Sequence, residues 1–231
     1  MLNCGKENIM SESSRLLITS GCSITEHEWY RDKFGIIAWP IIVAQELDLK
    51  LLNLARRGAS NHYIENSIID AALKYKDEDP LVMALWTDTK RLNGNDCYSY
   101  VDPKYNDQWI EFKDIEDMEK PYTIVKCSLR SIWRTKTIVE NLGLRYVDYL
   151  GDFHIPKLTK GSLTNAYKKI RSDWYFNNLN FTMREIESGG IDYTRIPIDG
   201  HPDQDGHEKI ANIMINRYMN QLKKKVEFTY D

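Results

Sequence analysis

The sequence predicts an α/β protein built on a parallel sheet with helices on both faces. Three observations predict it. Short, largely apolar runs recur at Leu16 to Thr19, Leu51 to Ala55 and Leu81 to Trp86. Stretches with apolar residues at helical spacing lie between them. The first two runs break at once into small and polar residues, and the third into Thr87-Asp88-Thr89. A strand buried on both faces reads as an unbroken apolar run, and alternating strands and helices imply parallel pairing. In such sheets ligands bind at the carboxyl ends of the strands. Ser23, Gly58 and the pair Thr87-Asp88 are therefore expected along one edge.

Taken in order, Leu16-Leu17-Ile18-Thr19 forms the first strand and breaks at Ser20-Gly21-Cys22-Ser23. Residues 24–35 are polar and aromatic and read as a loop over the sheet edge. Trp39-Pro40 opens a helix, since proline is tolerated in a first turn; Ile41, Ile42, Ala44 and Leu47 continue it. The second strand, Leu51 to Ala55, gives way to Arg56-Arg57-Gly58-Ala59-Ser60-Asn61. Ile64, Ile68, Ile69, Ala72 and Leu73 then share one helical face. Asp77 to Pro80 is a turn before the third strand. Pro121 to Asn141 reads as a long helix capped by Gly143, and Leu144 to Tyr149 as the fourth strand. A helix near 163–174, a tight turn at Gly189-Gly190 and a final helix from about Asp205 to Lys224 complete the chain. Residues 90–120 and 151–195 are excursions from a single domain spanning 15–231.

Composition bounds the function. The chain has 231 residues, 42% of them hydrophobic, which suffices for one well-formed core. With 31 basic against 34 acidic residues, net −3 and interspersed, it offers no nucleic-acid surface. The basic run Lys223-Lys224-Lys225 sits where it complements a helix carboxyl end. Cys4, Cys22, Cys97 and Cys127 form no CxxC pair, so no structural zinc is expected. Their scatter predicts free thiols in a reducing compartment. Residues 1–14 hold no apolar signal segment and read as a loosely ordered tail. No run approaches the roughly 20 apolar residues a membrane span needs. The expectation is a soluble, cytoplasmic protein.

Ser23 stands where strand becomes loop, a place that suits a turn residue as well as a nucleophile. Asp199-Gly200-His201-Pro202 precedes the final helix. Pro202 fixes the backbone after the histidine. The carboxylate of Asp199 could orient the imidazole and stabilise its charged form. Nucleophile, base and orienting acid need to meet in space, not in sequence. Cys22 is a rival nucleophile, but adjacent strand residues point to opposite faces and a buried cysteine more often packs. His207 falls in the first turn of the final helix, where it packs or caps. Asn61 is placed to cap the helix after Gly58. His27, His62 and His154 have no supporting motif.

The order of these blocks resembles the SGNH hydrolases, the GDSL-type esterases and lipases. Gly21-Cys22-Ser23 is similar to the block carrying the nucleophile, with Cys22 where the motif has Asp. Asn53-Leu54-Ala55-Arg56-Arg57-Gly58 is similar to the second block. Asp199-Gly200-His201-Pro202 is similar to the last, with one residue between Asp and His in place of two. The resemblance spans about residues 15–220. It implies a three-layer α/β/α, flavodoxin-like fold, Ser23 as nucleophile, His201 as base and Asp199 as its orienting acid. It implies an oxyanion hole built on the backbone of Ser23 and Gly58, and no metal or cofactor. The third block departs: no Asn follows Trp86, where the family places an oxyanion donor. Thr87, Asn61 or Asn95 could supply that third donor, and Arg91 is a candidate substrate contact. The function implied is a serine esterase acting on a small or carbohydrate-linked ester, with Tyr98, Tyr100, Tyr105 and Trp109 as aromatic loop residues that suit a glycan. A domain that binds a carbohydrate or protein partner without turnover, and an acyltransferase with the same triad, are the alternatives.

Overall fold

A computed structural model of the chain describes residues 15–89, 120–151, 168–179, 181, 183–188, 190–191, 194–196 and 200–227. The proposed tail 1–14, nearly all of the first excursion and about half of the second lie outside them.

Among the described residues, four strands form one sheet: β1 (Leu16–Ser20), β2 (Lys50–Asn53), β3 (Leu81–Trp86) and β4 (Arg145–Leu150), in the order β2-β1-β3-β4. Every pairing is parallel, with Leu17 opposite both Leu51 and Leu81, and Leu81 opposite Arg145. The parallel α/β expectation holds. All six residues of β3 are buried, as the unbroken apolar run requires. Pairing two strands in parallel needs a crossover, and crossovers are right-handed. The chain steps one way from β1 to β2 and the other way from β2 to β3, so the connecting helices fall on opposite faces. α2 (Trp39–Glu46) packs on one face with α7 (Gln204–Glu227), and α3 (Asn61–Tyr75) packs on the other with α4 (Lys120–Asn141). The result is three layers. The strand order reverses between β1 and β3, and the crevice at their carboxyl ends is where such folds hold ligands.

Two short helices, α5 (Trp174–Asn177) and α6 (Met183–Ser188), follow β4. Residues 168–171 are helical, as expected for that region, but the helix stops before Asp173. Asp173 instead caps α5, accepting from the backbone of Tyr175 (2.8 Å) and Phe176 (3.4 Å). No helix among the described residues is long and apolar enough to cross a membrane.

Part of the expected loop 24–35 departs from that reading with consequence. A helix, α1 (Glu28–Phe34), forms there. Glu28 favours its first turn, Arg31 and Lys33 its last, and Gly35 ends it at φ 66°. Tyr30 is fully buried and lies against the histidines described below.

β4 carries a carboxyl into the interior. Asp148 Oδ2 accepts from Trp86 Nε1 (3.1 Å) and Tyr146 Oη (3.2 Å). Burial pushes Asp148 up to about 6, against the pull of the Trp86 hydrogen bond, Arg217, Tyr146 and Lys136. Its folded value lies above that of the unfolded chain, so the folded state holds the proton more tightly. Stability is then full below about pH 4 and falls as pH rises through about 6. An asparagine keeps the acceptor oxygen and removes the charge. Asp148→Asn is expected to stabilise the fold by about 3 kcal/mol at pH 8, with the gain shrinking towards pH 4. Urea melts at the two pH values measure it; an equal effect at both contradicts the assignment.

Candidate active site

β1 delivers Ser23 through a turn whose tightness the sequence explains. Cys22 O accepts from the backbone of Thr25 (2.9 Å) and Glu26 (3.1 Å). A Cβ on Gly21 would stand 2.1 Å from Thr25 Oγ1 and 3.1 Å from Leu85 O, so only glycine fits there. Cys22 is 1% exposed and belongs to the apolar core. Ser23, the next residue, places its hydroxyl oxygen 2.9 Å from His201 Nε2. Residues 178 positions apart in the chain thus meet at hydrogen-bond distance.

His201 is presented by a pinned hairpin. Arg195 and Pro202 form an antiparallel bridge. Ile196 N donates to His201 O (2.7 Å), and Asp203 N donates to Thr194 O (3.2 Å). Asp203 then caps α7, accepting from Gly206 N (2.9 Å) and from the Thr194 hydroxyl. Those two bonds, the Thr194 one first, hold its carboxyl below the usual range. The backbone on either side of His201 is therefore fixed to the start of a long helix.

A second histidine ties the base to the nucleophile loop. His207, expected to pack or cap, is fully buried and Nδ1 accepts from Trp39 N (3.3 Å). That bond puts the proton of the neutral ring on Nε2. Burial lowers His207 to about 3, with Asp203 opposing and His201 adding to the effect, so it stays neutral. The Tyr30 ring stands edge-on to His207 (4.4 Å between centroids) and to His201 (6.0 Å). Trp39 Nε1 donates to Thr25 Oγ1 (3.2 Å), the atom that abuts Gly21. Tyr30, Trp39 and His207 thus form one buried support between the Ser23 turn and the His201 hairpin. Sequence reasoning did not find Tyr30 or Trp39; a buried aromatic carries no signal that sets it apart from ordinary core.

The second turn is organised by Asn53 at the end of β2. Its Oδ1 accepts from Thr19 Oγ1 (3.0 Å) and Ala55 N (3.1 Å), and its Nδ2 donates to Thr25 O (2.8 Å). Nδ2 also lies 3.0 Å from His27 Nδ1, which gives His27 a structural partner. Arg56 N donates to Gly21 O (3.2 Å), joining this turn to the nucleophile turn. Gly58 has φ 74°, a conformation open to glycine at little cost.

The helix after Gly58 is capped by Ser60, whose hydroxyl accepts from Tyr63 N (3.2 Å). Asn61, expected as that cap, does something else. Its Oδ1 accepts from Thr87 N (2.9 Å), and its Nδ2 donates to Thr87 O (3.1 Å) and Ser128 Oγ (3.0 Å). Both amide hydrogens are committed, so Asn61 is not available as an oxyanion donor. It extends β3 with a side chain that mimics a neighbouring strand. Thr87 is fully buried at the end of β3. Asp199, Asn95 and Arg91 lie outside the described residues.

The arrangement can do nucleophilic chemistry. A hydroxyl and an imidazole at 2.9 Å, backed by a rigid support and placed at the crevice of a parallel sheet, are the parts of an activated serine.

No protein-family model matches the sequence, and no curated protein matches it. Among solved structures the chain is similar to TesA, at 10% identity over 86% of this chain and 94% of that one, with a TM-score of 0.49. It is similar to a putative acylhydrolase from Bacteroides fragilis, at 10% identity over 92% of this chain and 89% of that one, TM-score 0.44. It is also similar to a family two carbohydrate esterase from Cellvibrio japonicus, at 13% identity over 91% of this chain and 61% of that one, TM-score 0.40. The geometry of the site itself carries the functional argument.

Proposed function

We propose that the chain is a serine esterase of the SGNH type. The observation that carries this is the 2.9 Å approach of Ser23 Oγ to His201 Nε2. Ser23 Oγ attacks the ester carbonyl carbon while His201 Nε2 takes the hydroxyl proton. The oxyanion of the tetrahedral intermediate is received by the backbone N–H groups of Ser23 and Gly58. The bond to the leaving oxygen breaks, and His201 returns the proton to the departing alcohol. Water then attacks the acyl-serine, giving its proton to His201. The carboxylic acid leaves, and Ser23 Oγ recovers its proton from His201. Asp199, two residues before His201, is the proposed orienting acid. The proposed substrate is a small or carbohydrate-linked ester; the aromatic residues that favour a glycan, Tyr98 to Trp109, lie outside the described residues.

Hydrolysis of p-nitrophenyl acetate by the protein and by Ser23→Ala tests this reading. Release of p-nitrophenol by the protein, reduced to the uncatalysed background in Ser23→Ala, is expected. Equal rates for the two proteins would sink it and leave a domain that binds without turnover.

A further inference from the structure

An oxyanion hole of two backbone donors lacks the side-chain donor that the motif resemblance leads one to expect, and Asn61 is committed elsewhere. Thr87 is a residue at the crevice whose hydroxyl the packing leaves unexplained. It is fully buried, yet Oγ1 has no hydrogen-bond partner among the described residues. A buried hydroxyl without a partner costs stability, and valine would fill the same volume without that cost. Its place is specific. Ser20 of β1 pairs with Ala84 of β3, and Ser23 and Thr87 each follow that pair by three residues. Ser23 stands in the turn after β1 and Thr87 directly after β3, at the carboxyl ends of adjacent parallel strands, on the two sides of the crevice where the strand order reverses. The Asn61 carboxamide grips Thr87 by both its backbone N–H and its carbonyl. A donor held so firmly needs no reorganisation when charge develops.

We infer that Thr87 Oγ1 is the third donor of the oxyanion hole, hydrogen-bonding the tetrahedral intermediate formed on Ser23. The inference rests on the esterase reading above and deepens it. On this reading the hydroxyl has no partner among the described residues because its partner exists only during the reaction. Asn61 is then a positioning residue that acts through Thr87.

Kinetics and melting of Thr87→Val, Thr87→Ser and Ser23→Ala, each in the full chain, test it with p-nitrophenyl acetate. Thr87→Val is expected to lose roughly 10²-fold in kcat with KM within about twofold. Its melting temperature should equal or exceed that of the parent, because an unsatisfied hydroxyl has been removed. Thr87→Ser keeps the donor and should retain most of the rate. Full activity in Thr87→Val, with Ser23→Ala inactive, overturns this inference and leaves the esterase reading standing. A fall in kcat that tracks a fall in melting temperature in both Thr87 variants also overturns it, since that marks a packing role. Full activity in Ser23→Ala overturns both readings together.

Discussion

The double variant Ser23→Ala/His201→Gln is expected to hydrolyse p-nitrophenyl acetate no more slowly than either single variant. Each single change should lower kcat by roughly 10⁴- to 10⁶-fold. Groups that act as one unit are not additive: without the hydroxyl there is no proton for the imidazole to take, and without the imidazole the hydroxyl is a weak nucleophile. The 2.9 Å separation makes them one unit. What survives is the rate that backbone donors and binding provide. Glutamine at 201 keeps a polar side chain but has no basic nitrogen. Single-variant losses that multiply in the double variant would contradict direct coupling. A His201→Gln protein with undiminished kcat would remove His201 from the reaction.

Arg134→Met is expected to destabilise the fold by about 3 kcal/mol. Glu65 lies in α3 with its side chain only 4% exposed, facing α4. Arg134 meets it twice, with Nε 2.6 Å from Oε1 and Nη2 2.7 Å from Oε2. His62 Nδ1 stands 3.3 Å from Oε2. Burial works to raise the Glu65 carboxyl, but hydrogen bonds from His62, Arg134 and Ser131 outweigh it and hold the value low. Removing Arg134 strands a buried carboxylate, and that is where the cost arises. Because the folded value is depressed, the pair's contribution is present above the unfolded pKa of about 4.3 and is lost as pH falls through the folded one. The destabilisation should therefore shrink in acid. Adding Glu65→Gln should recover much of it, since no charge is then left unpaired. Urea denaturation of the single and double variants measures this. A loss below about 1 kcal/mol for Arg134→Met would reduce the pair to an ordinary surface contact.

How much could be read from the chain depended on the range of the interaction. β3 announced itself most clearly because a strand buried on both faces has no polar positions to interrupt its apolar run. The placing of Ser23, Gly58 and Thr87 at one edge follows from parallel pairing alone. α1 escaped because a seven-residue helix has too few turns to show a period. Asp148 escaped because one carboxyl among the apolar residues of β4 carries no sign of Trp86 and Tyr146, which sequester it. Asn61 looked like a cap because it stands one residue from the true cap, Ser60. Its actual partners, Thr87 and Ser128, are 26 and 67 residues away. The joining of Ser23 to His201 was legible as a pattern of motifs; the Tyr30, Trp39 and His207 support that holds them together was not.

The most direct test of the account is covalent labelling with a fluorophosphonate, followed by peptide mapping. An activated serine displaces fluoride and keeps the phosphonyl group on Oγ. The account predicts a single adduct on Ser23, abolished in Ser23→Ala and strongly slowed in His201→Gln. An adduct on Cys22, or none on the folded protein, would contradict it.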